Sequence, residues 1–234
     1  MSRCWSSTSQ WEAALTPTPI RQVLSTFQKS GVRTLLMGGQ ACVFYGAAQV
    51  SKDIDFLVLA EAENFARLQA ALETLQADRI AVPPFDPAAL ARGYAVHFRC
   101  RAPGTAGLRV DVMTRLRTLP EFTSPWDRRT TLVDDEGIEY HLLCIPDLVQ
   151  AKKTQRSKDW PVIELLVELC RRFPTQAAEV TASRPLIRLA QDRSLDDLRT
   201  ALDAEVRAEQ ARDRDYWEPL RRELEQFRCE HHGR

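Results

Sequence analysis

Two acidic residues, Asp53 and Asp55, begin a segment, "DIDFLVL", that is otherwise apolar. In a β-strand, residues i and i+2 project from the same face, which places these carboxylates about 6 to 7 Å apart. Burying two like charges costs free energy unless a cation compensates them. Mg²⁺ prefers hard oxygen ligands and commonly combines one or two carboxylates with substrate phosphates. The alternative is an edge strand whose acids face water, and the apolar residues that follow argue against it.

A glycine pair stands shortly before the acidic pair. The apolar segment "VRTLLM" ends at Gly38 and Gly39, and a short helical segment then runs to Gly46. A strand that ends in Gly-Gly and enters a helix exposes backbone N–H groups that can hold a phosphate. An ordinary strand–helix turn would have the same sequence. Taken with the carboxylates, the glycines indicate phosphate and metal binding, and hence phosphoryl or nucleotidyl transfer.

The elements around these residues predict an α/β (α+β) fold in which a mixed sheet is followed by helices. Alternation and apolar runs predict strands at 32–37, 53–59, 95–101 and 108–113, and a hairpin over 128–144 that turns at 135–137. Helical spacing predicts helices at 9–30, 40–46, 61–77, 146–156 and 159–172 and from 195 to the end, with an irregular Pro-rich segment at 79–92. Pro17 and Pro19 divide the first helix or delay its start. We therefore expect a domain at 1–145 and a helical C-terminal region at 146–234.

The composition is that of an ordinary globular protein. Of the 234 residues, 44% are hydrophobic and 27% are charged. Lys plus Arg equal Asp plus Glu at 32 each, so no global field favours nucleic acid or membranes, although a local basic patch is compatible with this balance. The N-terminus lacks the apolar core of a signal peptide, and no segment approaches the roughly 20 apolar residues of a membrane helix. The six cysteines are scattered, as in a reduced protein. We expect a cytoplasmic protein with no membrane partner.

The order of Gly-Gly, short helix and Asp-x-Asp resembles the signature of the DNA polymerase β nucleotidyltransferase superfamily. This resemblance implies the nucleotidyltransferase fold, with helices flanking the mixed sheet, and a third carboxylate on a later strand. Asp111, in "LRVDVM", is the candidate, although a solvated strand position would look similar. The family implies that Asp53, Asp55 and Asp111 bind Mg²⁺ or Mn²⁺, while Gly38 and Gly39 hold the phosphates of a nucleoside triphosphate.

A second segment, "IPDLVQAKKTQRSKDWPVIELL", resembles the region that follows the catalytic sheet in AbiE-type toxins. The residues that recur in that branch correspond to Asp147, Lys152, Arg156 and Asp159. If they are helical, Lys152, Arg156 and Asp159 fall at i, i+4 and i+7 on one face. The two cations could then hold the triphosphate or stabilise the charge on departing pyrophosphate. An ordinary charged helix surface is the alternative for each residue.

The chain departs from this pattern just before the acidic pair. Many relatives have Arg and Thr where this sequence has Gln49 and Ser51. Ser51 keeps the hydroxyl and remains a candidate phosphate ligand, whereas Gln49 lacks the positive charge.

Further basic residues lie near the candidate carboxylates in the predicted strands. Arg109 shares a strand face with Asp111 and could pair with it or with a phosphate. His97, Arg99 and Arg101 share a face of their own strand, from which they either reach the substrate or coat the outside of the sheet. The charged run at 196–228 predicts either a solvent-exposed helix face or a binding surface for nucleic acid or protein. The final "CEHHGR" has metal-ligand types at a terminus, where a flexible tail is the plainer interpretation.

These features predict a Mg²⁺-dependent nucleotidyltransferase that moves a nucleoside monophosphate to an acceptor hydroxyl. The acceptor could be RNA such as tRNA, a protein side chain or a small molecule. The AbiE-like resemblance implies the toxin of a toxin–antitoxin pair, with RNA as acceptor and an antitoxin protein as partner. A catalytically inactive nucleotidyltransferase-fold module for nucleotide or protein binding is the competing hypothesis. Gln49 favours it, and the intact set of Asp53, Asp55 and Asp111 argues against it.

Overall fold

The computed structural model describes residues 18–80, 82–134, 136–169 and 195–232. Several sequence-based expectations fall partly outside these ranges: the start of the first predicted helix, the turn residue Asp135, the end of the helix predicted at 159–172, and the last two residues of the predicted C-terminal helix and its CEHHGR segment. Within the described ranges, no helix combines the length and the hydrophobicity that a membrane crossing requires.

The described elements follow the expected order. Their bounds are α1 Thr18–Lys29, β1 Thr34–Met37, α2 Gly38–Tyr45, β2 Asp53–Val58, α3 Ala62–Thr74, β3 Asp78–Arg79, α4 Pro87–Ala91, β4 Val96–Arg99, β5 Arg109–Met113, α5 Thr123–Asp127, β6 Thr130–Val133, β7 Glu139–Leu142, α6 Ile145–Ala151, α7 Trp160–Leu169 and α8 Leu195–His232. A 3₁₀ turn, Ser157–Asp159, precedes α7. The helix α1 is described from Thr18, and Pro19 is its second described residue.

The described strands form one seven-stranded sheet in the order β3-β4-β5-β2-β1-β7-β6. The strand β2 is parallel to β5, β1 is parallel to β7, and the other neighbours are antiparallel. The expected α/β class with a mixed sheet flanked by helices is therefore confirmed. The last described strand ends at Leu142, and from Ile145 onward the described elements are helical. The division into domains at residue 145 stays a prediction.

Strand alternation separates a core face of the sheet from a polar face. On β2, Ile54 and Phe56 are buried, and the Phe56 ring lies 4.8 Å from the ring of Phe27 on α1. Asp53 and Asp55 occupy the alternate positions and therefore project to the opposite face. Burial of the apolar face fixes the register, since a slip of one residue would move both carboxylates into the core.

Two segments differ from expectation because side chains bond to the local backbone. In the segment expected to be irregular, Asp86 caps α4 by accepting a hydrogen bond from the Ala88 N–H at 3.3 Å. The helix predicted at 146–156 instead ends at Ala151. Beyond it, Thr154 accepts from the Arg156 N–H at 3.1 Å, and such bonds compete with a continuing helix. The expected common helical face for Lys152, Arg156 and Asp159 is therefore wrong.

Candidate functional site

The three predicted carboxylates lie on one face of the sheet. The parallel strands β2 and β5 pair Asp55 with Asp111 and Asp53 with Arg109. Paired residues on adjacent strands are about 5 Å apart and point to the same side. Asp111 therefore lies beside Asp55, and Asp53 lies one step further along the strand.

The carboxylates line a cleft of about 750 Å³. Nearly all predicted site residues line it: Gly38, Gly39, Ser51, Asp53, Asp55, Arg109, Asp111, Lys152, Arg156 and Asp159. In the described part of the chain, eight Lys or Arg and five Asp residues line the cleft, whereas the whole chain has equal numbers of cations and acids. The cleft therefore combines an acidic floor with an excess of basic residues, an arrangement suited to a polyanion accompanied by a metal.

Asp147 and Gln49 lie outside this lining. The Asp147 carboxylate is buried and accepts two hydrogen bonds from Arg128, at 2.7 and 2.6 Å, so it holds α6 against the segment after α5. Gln49 is exposed to solvent. Position 49, where many proteins with the resembling sequence pattern have arginine, is therefore a surface position in this fold.

The environment of Asp55 opposes its charge. Burial, and next the neighbouring Asp111, raise the pKa of Asp55 to about 6, although Lys152 and the Gly39 N–H partly offset this. A cation bound at this carboxylate would favour its ionised form.

The glycine turn is shaped around the Asp55 carboxylate. Gly38 has φ +67°, and a Cβ there would overlap this carboxylate. A Cβ on Gly39 would lie 2.6 Å from the hydroxyl oxygen of Ser51. The Gly39 N–H donates to Asp55, so one N–H that we expected to be open for phosphate is directed at a carboxylate instead.

Asp111 lies in a network with two neighbours. Arg109 donates to both Asp111 oxygens, at 2.8 and 2.9 Å, and His97 Nδ1 lies 2.8 Å from Oδ1. Burial raises the pKa of Asp111, but the hydrogen bonds from His97 and Arg109 outweigh it and lower the pKa below its usual value. Of the two options left open for Arg109, this structure has the pair with Asp111. His97 shares the carboxylate face, whereas Arg101 is exposed and pairs with Asp78.

The donor chemistry fits a hard divalent cation. Asp53 and Asp55 offer carboxylate oxygens, and burial together with the charge of Asp111 disfavours the ionised form of Asp55, which a bound cation would offset. Asp111 accepts three close contacts, and a carboxylate has about four acceptor positions, so it retains one for a cation beside Arg109. As placed, no three His, Cys, Asp or Glu side chains among the described residues form a group that could hold a metal ion.

Lys152 and Asp159 meet through a turn rather than a helix. The Lys152 ammonium lies 3.3 Å from Asp159, which also accepts from Arg156 at 2.8 Å and from the Thr154 hydroxyl at 2.5 Å. Lys152 is buried, and its charge lowers the pKa of Asp55. It is therefore placed to act on an anion bound at the carboxylates.

Comparisons with known proteins identify no family for this chain. No family model and no curated protein matches the sequence significantly. Among solved structures, JHP933 from Helicobacter pylori is 13% identical, with a TM-score of 0.36 over 92% of this chain and 98% of that one. A "putative nucleotidyltransferase" from H. pylori is 14% identical, with a TM-score of 0.39 over 89% of this chain and 98% of that one. TM-scores this low identify neither a fold nor an activity, so the function must be inferred from the cleft.

The helix α8 supplies a wall of the cleft that the sequence did not reveal. Asp213, Trp217 and Arg221 line the cleft from successive turns. The buried Asp213 carboxylate accepts from the Gln155 backbone N–H at 3.0 Å, from Trp217 at 3.2 Å and from Arg117 at 3.2 Å. The sequence signal was an aromatic residue, Trp217, four positions after an acid, Asp213, inside a charged helix. We expected this run to be a solvated face or a binding platform.

Replacing Asp213 by alanine is expected to destabilise the fold by roughly 3 kcal/mol, because the partly buried Arg117 keeps only the more distant Glu209 as an acid partner and the Gln155 N–H loses its acceptor. The matched control is Arg222→Ala, which removes an exposed pair with Glu218 on the same helix and should change stability by at most about 0.5 kcal/mol. Urea midpoints measure both. Equal shifts in the two variants would show that Asp213 does not dock α8.

Proposed function

We propose that this protein is a nucleotidyltransferase that transfers a nucleoside monophosphate from a nucleoside triphosphate to an acceptor hydroxyl. The observation that carries the proposal is the pairing of Asp55 with Asp111 across parallel strands, with Asp53 on the same face. The glycine turn covers this group at one end of the cleft. Buried carboxylates in such a cluster suit charge-rich phosphate chemistry and lack a role in packing.

A divalent cation, Mg²⁺ or Mn²⁺, held by Asp53, Asp55 and Asp111, would neutralise the triphosphate and lower the pKa of the acceptor hydroxyl. The chain's own residues would do the rest. Lys152 is buried beside Asp55 and would bind phosphate oxygens. Arg156 would meet the outer phosphates, since its side chain is 57% exposed.

Asp111 would orient the acceptor. Its pKa is lowered, so it stays ionised at neutral pH, and it would accept a hydrogen bond from the attacking hydroxyl once Arg109 releases one of its oxygens. The hydroxyl oxygen would lose its proton to solvent and form a bond to the α-phosphorus, while the bond from that phosphorus to the pyrophosphate oxygen breaks in line and pyrophosphate leaves. Lys152 would offset the charge on the leaving group. Gly38, Gly39 and Ser51 would bound the phosphate end of the cleft.

The acceptor class we favour is RNA, including tRNA. Two features support it: the excess of basic residues around the cleft, and the resemblance of the Lys152 segment to AbiE-type toxins. On this basis the protein would act as the toxin of a toxin–antitoxin pair, with an antitoxin protein as its partner.

Incubation with Mg²⁺, each α-³²P-labelled nucleoside triphosphate and total cellular RNA tests the transfer directly. Label is expected in an RNA species with the native protein, and the Asp53→Ala variant should give less than about a hundredth of it, because a metal ligand is lost. No labelled product with any of the four nucleotides, in RNA or in a whole lysate, would rule out the transferase.

Expression in a bacterial host tests the toxin role separately. Growth should arrest with the native protein and recover with Asp53→Ala. Unimpaired growth with an active enzyme would reject the toxin role and leave the transferase standing.

The contact between Arg109 and Asp111 favours a second candidate function, that of a nucleotide-binding module without transferase activity. Arg109 donates two hydrogen bonds to the carboxylate that would complete the metal site. Calorimetry and the labelling assay together separate the two functions. A binding module would bind a nucleoside triphosphate with Mg²⁺ in the calorimeter and yield no labelled product in the assay.

A further inference from the structure

A second pocket lies at the other end of β1, away from the carboxylate cleft. Thr34, at the start of β1, lines this pocket, and Met37, at the end of the same strand, lines the cleft. The two sites are therefore about 10 Å apart along the strand. Phe56 also lines the second pocket, so it opens on the face of β2 opposite Asp55. We call it the Trp126 pocket.

The Trp126 pocket has an apolar base and an aromatic, cationic side. Its volume is about 210 Å³, and its base is formed by Leu24, Phe27 and Phe56. This is smaller than the roughly 300 to 1,000 Å³ of sites that enclose drug-sized ligands, so it suits a single ring system rather than a complete nucleoside triphosphate.

Two arginine guanidinium groups lie over the ring of Trp126. Arg33 lies 5.0 Å and Arg129 4.0 Å from the centre of the Trp126 ring, and the His141 ring meets Trp126 edge-on at 5.0 Å. Cation–π contacts of this kind orient a guanidinium but leave its charge available to an anion.

Among the described residues, neither guanidinium lies within ion-pair distance of an acid, although the charges of Glu139 and Asp127 reach Arg129. In the described ranges, neither Arg33 nor Arg129 forms an ion pair, whereas Arg21, Arg117 and Arg128 all do. Arg129 instead donates to the Trp126 carbonyl oxygen at 2.8 Å and approaches His141 Nδ1 at 3.4 Å. Burial lowers the pKa of Arg129, the charge of Glu139 raises it in part, and the charge of Arg33 lowers it again. Arg33 lines the pocket and Arg129 lies against the ring of Trp126, which also lines it, so an anion bound beside Trp126 would stabilise both guanidinium groups.

We propose that the Trp126 pocket binds a nucleoside phosphate unit, with the base over the apolar residues beside Trp126 and the phosphate on Arg33 and Arg129. The unit is either a free nucleotide or one residue of an RNA strand. An acidic peptide would satisfy the guanidinium groups and leave the apolar pocket unfilled, so a ring joined to an anion fits better. The site is separate from the carboxylate cleft and does not rest on the proposed transferase function.

Glu139 limits where the phosphate can lie. It lines the pocket and lies 3.6 Å from His141 Nε2, with its side chain half exposed. Its charge disfavours an anion on that side and directs the phosphate toward Arg33. Neutralising Glu139 should therefore tighten binding.

Calorimetric titration in EDTA tests the proposal, since without divalent cations the carboxylate cleft lacks its counter-ion. The probes are AMP, a 5′-phosphorylated ten-nucleotide RNA and a ten-residue glutamate peptide. We expect one binding site for a nucleotide probe, weakened roughly tenfold or more by Arg33→Gln and by Arg129→Gln. Glu139→Gln should strengthen it by about threefold. The control Arg222→Gln, at an exposed arginine on α8, should leave it unchanged.

The probes also distinguish the sources of the ligand. AMP that binds as tightly as the RNA identifies a free nucleotide, and binding of the RNA alone identifies a strand. Arg33 is exposed, so its substitution does not threaten the fold. The proposal fails if neither nucleotide probe binds, if both arginine variants bind normally, or if the glutamate peptide binds most tightly. That last result would indicate an acidic protein partner.

Discussion

An Asp55→Asn variant is expected to lose nucleotidyl transfer by roughly a thousandfold and, in the absence of divalent cations, to be more stable than the native protein. The loss follows because Asp55 lies between the other two candidate metal ligands, beside Asp111 on the neighbouring strand and on the same face as Asp53. The gain follows because asparagine has the same shape, still accepts the Gly39 N–H and carries no charge to bury. Opposite effects on activity and stability are typical of a residue retained for function.

The stability gain should depend on pH. The pKa of Asp55 is raised from its usual 3.8 to about 6 in the fold, so the folded protein binds this proton more tightly than the unfolded chain does. The associated stabilisation is complete below about pH 4 and is lost as pH rises through 6, amounting to roughly 3 kcal/mol. The free energy of unfolding of Asp55→Asn should therefore exceed that of the native protein by roughly that amount at pH 7.5 and equal it near pH 4.

Urea denaturation of both proteins in EDTA at the two pH values measures this difference. Asp53→Asn is the matched variant, since Asp53 lies on the same face of the same strand and pairs with Arg109 rather than with Asp111. It should lose activity with little change in stability. If Asp55→Asn were destabilised at pH 7.5, the carboxylate would have a structural role, and the unfavourable environment inferred for its charge would be wrong.

Gly38→Ala is expected to cost several kcal/mol and to abolish activity. Gly38 has φ +67°, where a side chain costs about 1 to 2 kcal/mol. The added methyl would also lie 2.6 Å from Cγ and 2.9 Å from Cβ of Asp55. The Asp55 Cβ is fixed by strand β2, so the overlap is relieved only by displacing the carboxylate or separating α2 from the sheet.

Gly46 provides the control for this substitution. It ends α2 with φ +79°, and a Cβ there would meet no atom within 4 Å. Gly46→Ala should therefore show the backbone cost alone. Thermal unfolding and metal-dependent nucleotide binding of both variants separate the two contributions. Equal destabilisation would mean that Gly38 is needed only for its backbone conformation.

The sequence predicted the parts of the site that depend on local periodicity. Asp53 and Asp55 share a face because strand alternation is a property of neighbouring residues. The sequence predicted that Asp111 lies on a later strand. Its position beside Asp55 depends on the parallel pairing of β2 with β5, and residue spacing along the chain does not predict which strands pair. The contact between Gly38 and Asp55 has the same origin, since it joins a turn to a neighbouring strand.

The misses have particular physical causes. Lys152 and Asp159 were expected to meet on a helix, and they meet because Thr154 bonds locally and ends that helix. Asp213 and Trp217 were assigned to a solvated surface because a charged helix has no strong apolar stripe that predicts docking. Their contacts are polar, and polar contacts between distant segments leave little periodic trace in a sequence.

The docking of α8 also sets an order for biosynthesis. Asp213 follows its partner Arg117 by 96 residues, so a ribosome adding roughly 5 to 20 residues per second synthesises Arg117 and the carboxylate strands β2 and β5 at least about 5 to 20 seconds before this wall of the cleft. During that interval the nascent chain has its carboxylates but no enclosed cleft. A growing polypeptide would therefore gain its complete cleft only once α8 is translated, which delays any activity within the cell until synthesis has passed that helix.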